Sequence, residues 1–271
     1  MNLNGKILID NKPVFNNLNR AFKYGDGLFE TIKVIDLEVV FLEDHYFRLM
    51  ASMRMLRMEI PIHFSLEFFQ EEIIKTVKNT NLQNARVRVT VFRADGGLYL
   101  PKTNAINYLI EVNALNISIK PNYEIDIFKD YFISSGLLST IKTTNKLTNI
   151  LASIYASEND FDNCILLNEN KNVVEAINGN IFIVIGNIIK TPPITDGCIK
   201  GIIRKKIIEI LNKVEKFNLE ETQISPFDIL KADELFITNA IIGIQSVTKY
   251  KKKVFSVEVT KEIERELNKL V

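Results

Sequence analysis

The chain is expected to fold as a mixed α/β protein built from two α/β domains, and three observations lead there. Segments whose apolar residues recur at helical spacing alternate along the whole chain with segments of strict in-out alternation. The 271 residues exceed what one ordinary core fills. The pattern then loosens between Ser118 and Asn122, at Pro121, which sets an N-terminal domain at 1–117, a linker at 118–122 and a C-terminal domain at 123–271.

In the first half, Lys6–Asp10 reads as a short strand. Glu30–Phe41 reads as a hairpin, with Ile32, Val34, Val39 and Phe41 alternating around Asp36-Leu37-Glu38. Phe47, Met50 and Leu56 give Asp44–Met58 an apolar helical face, and Pro61 forbids its continuation. Ser65 is placed to cap a helix carrying Phe68, Phe69, Ile73, Ile74 and Val77, which should end near Asn79-Thr80-Asn81. Val87, Val89 and Val91 alternate with Arg86, Arg88 and Thr90, and Ile106–Val112 is a natural antiparallel neighbour.

The second half is read the same way. A helix is expected over Lys146–Asn159, then strands at Cys164–Asn168, Ile181–Ile185 and Ile188–Lys190, the last two joined by Gly186-Asn187. Gly201 opens a helix whose inward face is Ile203, Ile207, Ile210, Leu211 and Val214. Val259, Ile263, Leu267 and Leu270 line a terminal helix.

Composition narrows the function. Hydrophobic residues make up 46%, charged residues 25% and the formal net charge is +1, so nothing favours nucleic acid, an anionic membrane or a strongly acidic partner. The expected ligand is a small molecule. Met1–Lys6 lacks the apolar core of a signal peptide and no apolar run approaches about 20 residues, so a cytoplasmic enzyme is expected. Two cysteines, Cys164 and Cys198, read as small packing residues, and two histidines, His45 and His63, cannot furnish a clustered metal site.

Two stretches carry the chemistry: Lys142-Thr143-Thr144-Asn145-Lys146-Leu147 and Val174-Glu175-Ala176-Ile177-Asn178-Gly179-Asn180-Ile181-Phe182. Together they resemble the pyridoxal-phosphate pocket of class IV, fold-type IV aminotransferases. The resemblance implies two α/β domains with the cofactor at their interface, usually in a homodimer. It also implies that Lys142 holds the cofactor aldehyde and that Glu175 keeps the pyridine nitrogen protonated. Alone, a lysine beside threonines reads as a solvated surface residue. Tyr24-Gly25-Asp26-Gly27-Leu28-Phe29-Glu30-Thr31 resembles the family's glycine turn into a strand, with Thr31 a substrate-contact candidate. His45-Tyr46-Phe47-Arg48 resembles the segment whose arginine binds the cofactor phosphate, which makes Arg48 the candidate there. Gly197-Cys198-Ile199-Lys200-Gly201-Ile202-Ile203 resembles the second phosphate contact, in which the Ile202 and Ile203 amides at a helix N-terminus face the anion and Gly201 permits close approach. Thr238-Asn239-Ala240 resembles the last cofactor loop, with Asn239 toward phosphate and Ala240 toward substrate.

The flanks point to a reaction. A released Lys142 amine next to the substrate carbon can take its proton, provided the site lowers the free-lysine value of about 10.4. Lys142-x-x-Asn145-x-Leu147 resembles the 4-amino-4-deoxychorismate lyase and D-amino-acid branches, because branched-chain enzymes carry a tyrosine where Leu147 stands. Arg93-Ala94-Asp95-Gly96-Gly97-Leu98-Tyr99 and Thr238-Asn239-Ala240 resemble the lyase most. Many lyases have an arginine where Leu98 stands, so Arg93 becomes the expected partner of the substrate carboxylates, with Tyr99 nearby. An aminotransferase acting on branched-chain, D- or other amino acids is the alternative, and a non-catalytic binding protein a minor one.

Overall fold

The computed structural model describes residues 1–8 and 14–271, in two compact units: Met1–Asn116 with Lys142–Asn145, and Ile117–Ile141 with Lys146–Val271. In the first unit, β1 (Asn2–Leu3), β2 (Lys6–Ile7), α1 (Arg20–Tyr24), β3 (Gly27–Ile35), β4 (Glu38–Val39), α2 (Leu42–Met55), α3 (Leu66–Lys78), β5 (Ala85–Arg93) and β6 (Ile106–Ala114) follow in order. Ile9 and Asp10 of the expected first strand lie outside the described residues. The strands form one antiparallel sheet in the order β2-β1-β6-β5-β3-β4. Ile32, Val34, Val87, Val89 and Val91 are fully buried on one face, as the alternation predicts.

Local chemistry accounts for the element ends. Ser65 Oγ accepts the Phe68 amide at 3.2 Å and starts α3. Asp36 and Leu37 take positive φ of 48° and 66°, making a two-residue turn that pairs Ile35 with Glu38. The expected hairpin is therefore off-centre: β3 starts at Gly27, β4 is only two residues long, and Phe41, at φ 54°, caps α2 rather than extending a strand. α2 stops at Met55, before the expected Met58, because Arg57 turns left-handed at φ 54°.

Lys142–Asn145, expected with the C-terminal half, has its backbone bonds in the first unit. The Phe29 amide donates to the Lys142 carbonyl at 2.8 Å and the Thr144 amide to the Gly27 carbonyl at 2.9 Å.

The second unit contains β7 (Glu124–Ile127), α4 (Leu147–Glu158), β8 (Asn163–Leu167), β9 (Val173–Ala176), β10 (Asn180–Ile185), β11 (Ile188–Thr191), α5 (Ile202–Leu211), β12 (Asn218–Glu221), α6 (Pro226–Lys231), β13 (Glu234–Asn239), β14 (Gly243–Val247), β15 (Lys249–Tyr250), β16 (Lys253–Val254) and α7 (Glu258–Asn268). Two five-stranded sheets result, ordered β12-β11-β10-β13-β14 and β16-β15-β7-β8-β9. Ile125, Ile165, Ile181, Ile183, Leu235 and Val247 pack between them as a core. Gly186 at φ 59° closes the β10–β11 hairpin where expected. In α7 the buried face is Thr260, Ile263 and Leu267, whereas Leu270 lies beyond the helix end and is exposed. The Cys164 and Cys198 thiols are both free and buried, and burial pushes each up to about 12.

Candidate active site

In the first unit, residues at odd positions of β3 share one sheet face, and Phe29 and Thr31 are among them. Lys142 Nζ lies 4.4 Å from the centre of the Phe29 ring, and the Arg88 guanidinium carbon lies 3.7 Å from the same centre. Thr31 pairs directly with Arg88 across β3 and β5. Lys142 and Arg88 therefore flank one aromatic side chain, on the sheet face that Thr31 shares. Burial lowers the Arg88 pKa, and Glu111 at 4.0 Å only partly offsets this. The outward arginines of an alternating strand read as solvated, so Arg88 was not singled out by sequence; the signal lay in its pairing with Thr31.

Glu30 points the other way, among the core side chains, and is 1% exposed. Its carboxylate accepts Arg48 Nε at 2.8 Å and also Arg48 Nη2, while His45 Nδ1 lies 2.7 Å from its Oε2. Burial alone would raise this carboxyl. The charge of Arg48 and the hydrogen bonds from His45 and Arg48 outweigh burial and hold it at about 2. Burial also lowers His45, against the pull of Glu30. Arg48 thus has its guanidinium oriented by a buried carboxylate and a buried imidazole, neither of which the motif alone identified as its support.

Arg93 is turned inward. Its Nε donates to Asp26 at 3.0 Å, Nη1 to Asn104 at 2.7 Å and Nη2 to the Leu56 carbonyl at 2.7 Å. Asp26 also takes Arg20 Nε at 2.7 Å, and Arg20 Nη1 donates to the Leu98 carbonyl at 2.6 Å. These two arginines hold the turn, where Gly97 at φ 80° has no room for a Cβ: one would lie 2.3 Å from the Leu100 carbonyl oxygen. Leu98 and Tyr99 project from it, 74% and 91% exposed.

The second unit assembles a different set. Glu175, on β9, is buried, and its Oε2 accepts the Ile199 amide at 3.0 Å. Burial lowers the Lys146 pKa, opposed by the Glu175 charge. Asn180 Nδ2 donates to the Ile199 carbonyl at 2.8 Å, so both faces of one peptide segment are fixed by side chains of β9 and β10. Two residues on, Gly201 caps α5. A Cβ there would lie 1.9 Å from Asn180 Oδ1. The first amides of α5, Ile202 and Ile203, have no carbonyl partner within their own helix. Asn180 pairs with Thr238 in the β10–β13 ladder, and Thr238 Oγ1 is buried with no partner among the described residues. Asn239 Oδ1 accepts the Ile241 and Ile242 amides at 3.1 and 3.0 Å, shaping the turn that begins at Ala240. Glu175, the α5 N-terminus and the Thr238-Asn239-Ala240 segment are thus brought together by Ile199 and Asn180, two residues to which sequence reasoning gave no role.

The family model described as "Amino-transferase class IV" matches residues 27–250. The chain belongs to the class IV aminotransferase family, whose cofactor is pyridoxal 5′-phosphate. It is 29% identical over 279 residues to the "Putative branched-chain-amino-acid aminotransferase" of Methanocaldococcus jannaschii, covering 98% of this chain and 92% of that one. It resembles the solved "Putative 4-amino-4-deoxychorismate lyase" from Legionella pneumophila at a TM-score of 0.88 and 26% identity, over 96% of this chain and 97% of that one. The fold is also that of the branched-chain aminotransferase from the archaeon Thermoproteus uzoniensis solved with norvaline, at a TM-score of 0.90 and 23% identity, over 98% and 92% of the two chains. The family is enzymatic, and its members include both transferases and lyases.

Proposed function

We propose that this enzyme is a 4-amino-4-deoxychorismate lyase that releases 4-aminobenzoate and pyruvate. The residues present suit the family cofactor. Gly201 stands where any side chain would strike Asn180, next to open helix amides, and the orphaned Thr238 hydroxyl lies in the same cluster. In this reading Lys142 holds the cofactor aldehyde, Glu175 its ring nitrogen, and Arg48, the Ile202 and Ile203 amides and Asn239 its phosphate. Bound pyridoxal phosphate supplies an acceptor for the electrons left when a proton leaves the substrate carbon.

The observation that carries the reading is the Phe29 surround: Arg88 and Thr31 offer a fixed cation and a hydroxyl beside Lys142. A carboxylate-bearing amino substrate matches that set. Lys142 Nζ takes the proton from the carbon bearing the amine. The adjacent carbon–oxygen bond to the enolpyruvyl group breaks, the ring becomes aromatic, and the released enol takes a proton to give pyruvate. Arg88 replaces Arg93 as the carboxylate partner, since the Arg93 donors are spent on Asp26, Asn104 and Leu56. Asn145 and Leu147 after the lysine resemble the lyase and D-amino-acid branches rather than the branched-chain one, and Asn239-Ala240 in the last loop resembles the lyase.

The Methanocaldococcus relative favours a second reading, an aminotransferase acting on branched-chain amino acids, whose carboxylate Arg88 would serve equally. The cofactor-loaded protein should convert aminodeoxychorismate to 4-aminobenzoate with no keto acid added. Turnover that appears only with a keto-acid acceptor, and yields an amino acid, would replace the lyase by the aminotransferase. A cytoplasmic homodimer completes the reading. The homodimer is supported by exposed Leu147, Ile150, Leu151 and Ile154 at helical spacing along α4 and by exposed Leu98, Tyr99 and Leu100.

A further inference from the structure

The second unit carries a surface cavity of about 470 Å³ within the size range of small-molecule sites. Its lining combines Phe132, Phe227, Leu230 and the buried Tyr250 with three lysines, Lys129, Lys171 and Lys251, and contains no acidic residue. Phe132, Phe227 and Leu230 are exposed although large and apolar. Neither Lys129 nor Lys171 has a carboxylate within salt-bridge range among the described residues, and the Lys251 ammonium lies 5.1 Å from the centre of the Tyr250 ring. Lys171 and Lys251 each occupy a turn at positive φ, 62° and 53°, where glycine or asparagine would sit more easily. None of these residues belongs to the cluster around Glu175 or to the face around Lys142.

We propose that this cavity binds a small organic carboxylate with a ring-bearing apolar body. Three ammonium groups without a built-in acid raise the local potential and select an anion. The aromatic lining rewards removal of apolar surface from water, which a ring provides and a bare inorganic phosphate does not. The charges sit on flexible stems at the rim, so the carboxylate stays near solvent while the ring goes inward.

Calorimetric titration of 2-naphthoate into the cofactor-loaded protein tests this. At low salt a Kd on the order of 10⁻⁴ M is expected. The variant K129Q/K171Q/K251Q should bind at least about tenfold more weakly, and 2-naphthamide, which keeps the ring and lacks the charge, should lose a similar factor. Phe227→Asp, a surface change that the fold should accept, should lower affinity as much. Turnover should be unchanged in all of these variants. Arg88→Ala should leave 2-naphthoate binding intact. Equal binding of acid and amide, unchanged affinity in either the lysine or the Phe227 variant, or loss of all binding in Arg88→Ala would overturn the proposal, the last by placing the anion beside Lys142.

Discussion

Arg88 and Arg93 stand five positions apart on one strand and do different work. Arg88→Ala is expected to raise the KM for a carboxylate substrate at least about tenfold with a smaller change in kcat, because an anchor of this kind holds ground and transition states alike. Arg93→Ala should instead cost about 3 kcal/mol of stability, the cost of removing one partner from a buried ion pair, and urea unfolding would separate the two effects. Glu30→Gln should likewise destabilise by about 3 kcal/mol at neutral pH. Its pH dependence has a definite sign. The folded carboxyl titrates at about 2, below the free value of about 4.3, so the stabilisation is present above the free value and is lost as pH falls through the folded one. The gap between wild type and Glu30→Gln should therefore shrink from about pH 4.5 down to 2. Borohydride reduction and peptide mapping should place the pyridoxyl label on Lys142; a label on Lys146, the lysine close to Glu175, would reassign the attachment.

Elements whose pattern depends only on neighbours in sequence could be read directly. α3 has its serine cap and apolar stripe within one segment, and β5 and β6 show their alternation residue by residue. What escaped depends on pairing across the chain. Glu30 occupies a core-facing position where an acid looks like a fault in the alternation until His45 and Arg48 are seen beside it. β9, which presents Glu175, is only four residues long and buried on both faces, so it shows no period. The α5 entrance was legible through Gly201, although the reason for the glycine, Asn180 from β10, was not. Gly201→Ala should therefore leave α5 formed, as followed by circular dichroism, while weakening cofactor binding at least about tenfold in a fluorescence titration, since Asn180 must move and its hold on the Ile199 carbonyl with it.

For the whole molecule, sedimentation should give twice 31.1 kDa, and Ile150→Asp with Ile154→Asp on the exposed α4 face should shift it toward a single chain without unfolding it. The domain division read from the loosened pattern at Pro121 treats the chain as two consecutive pieces, because composition cannot reveal a segment that returns. The return of Lys142–Asn145 to β3 has a consequence during synthesis. The Gly27 carbonyl and the Phe29 amide find these partners only after more than a hundred further residues have been made, with Thr144 bonding back across 117 positions. The N-terminal unit cannot be finished while it alone has left the ribosome. A fragment ending at residue 116 should exchange its Phe29 amide with solvent quickly, and the same amide in the full chain should be protected. Translation thus delivers Lys142 as the last piece of the unit made first.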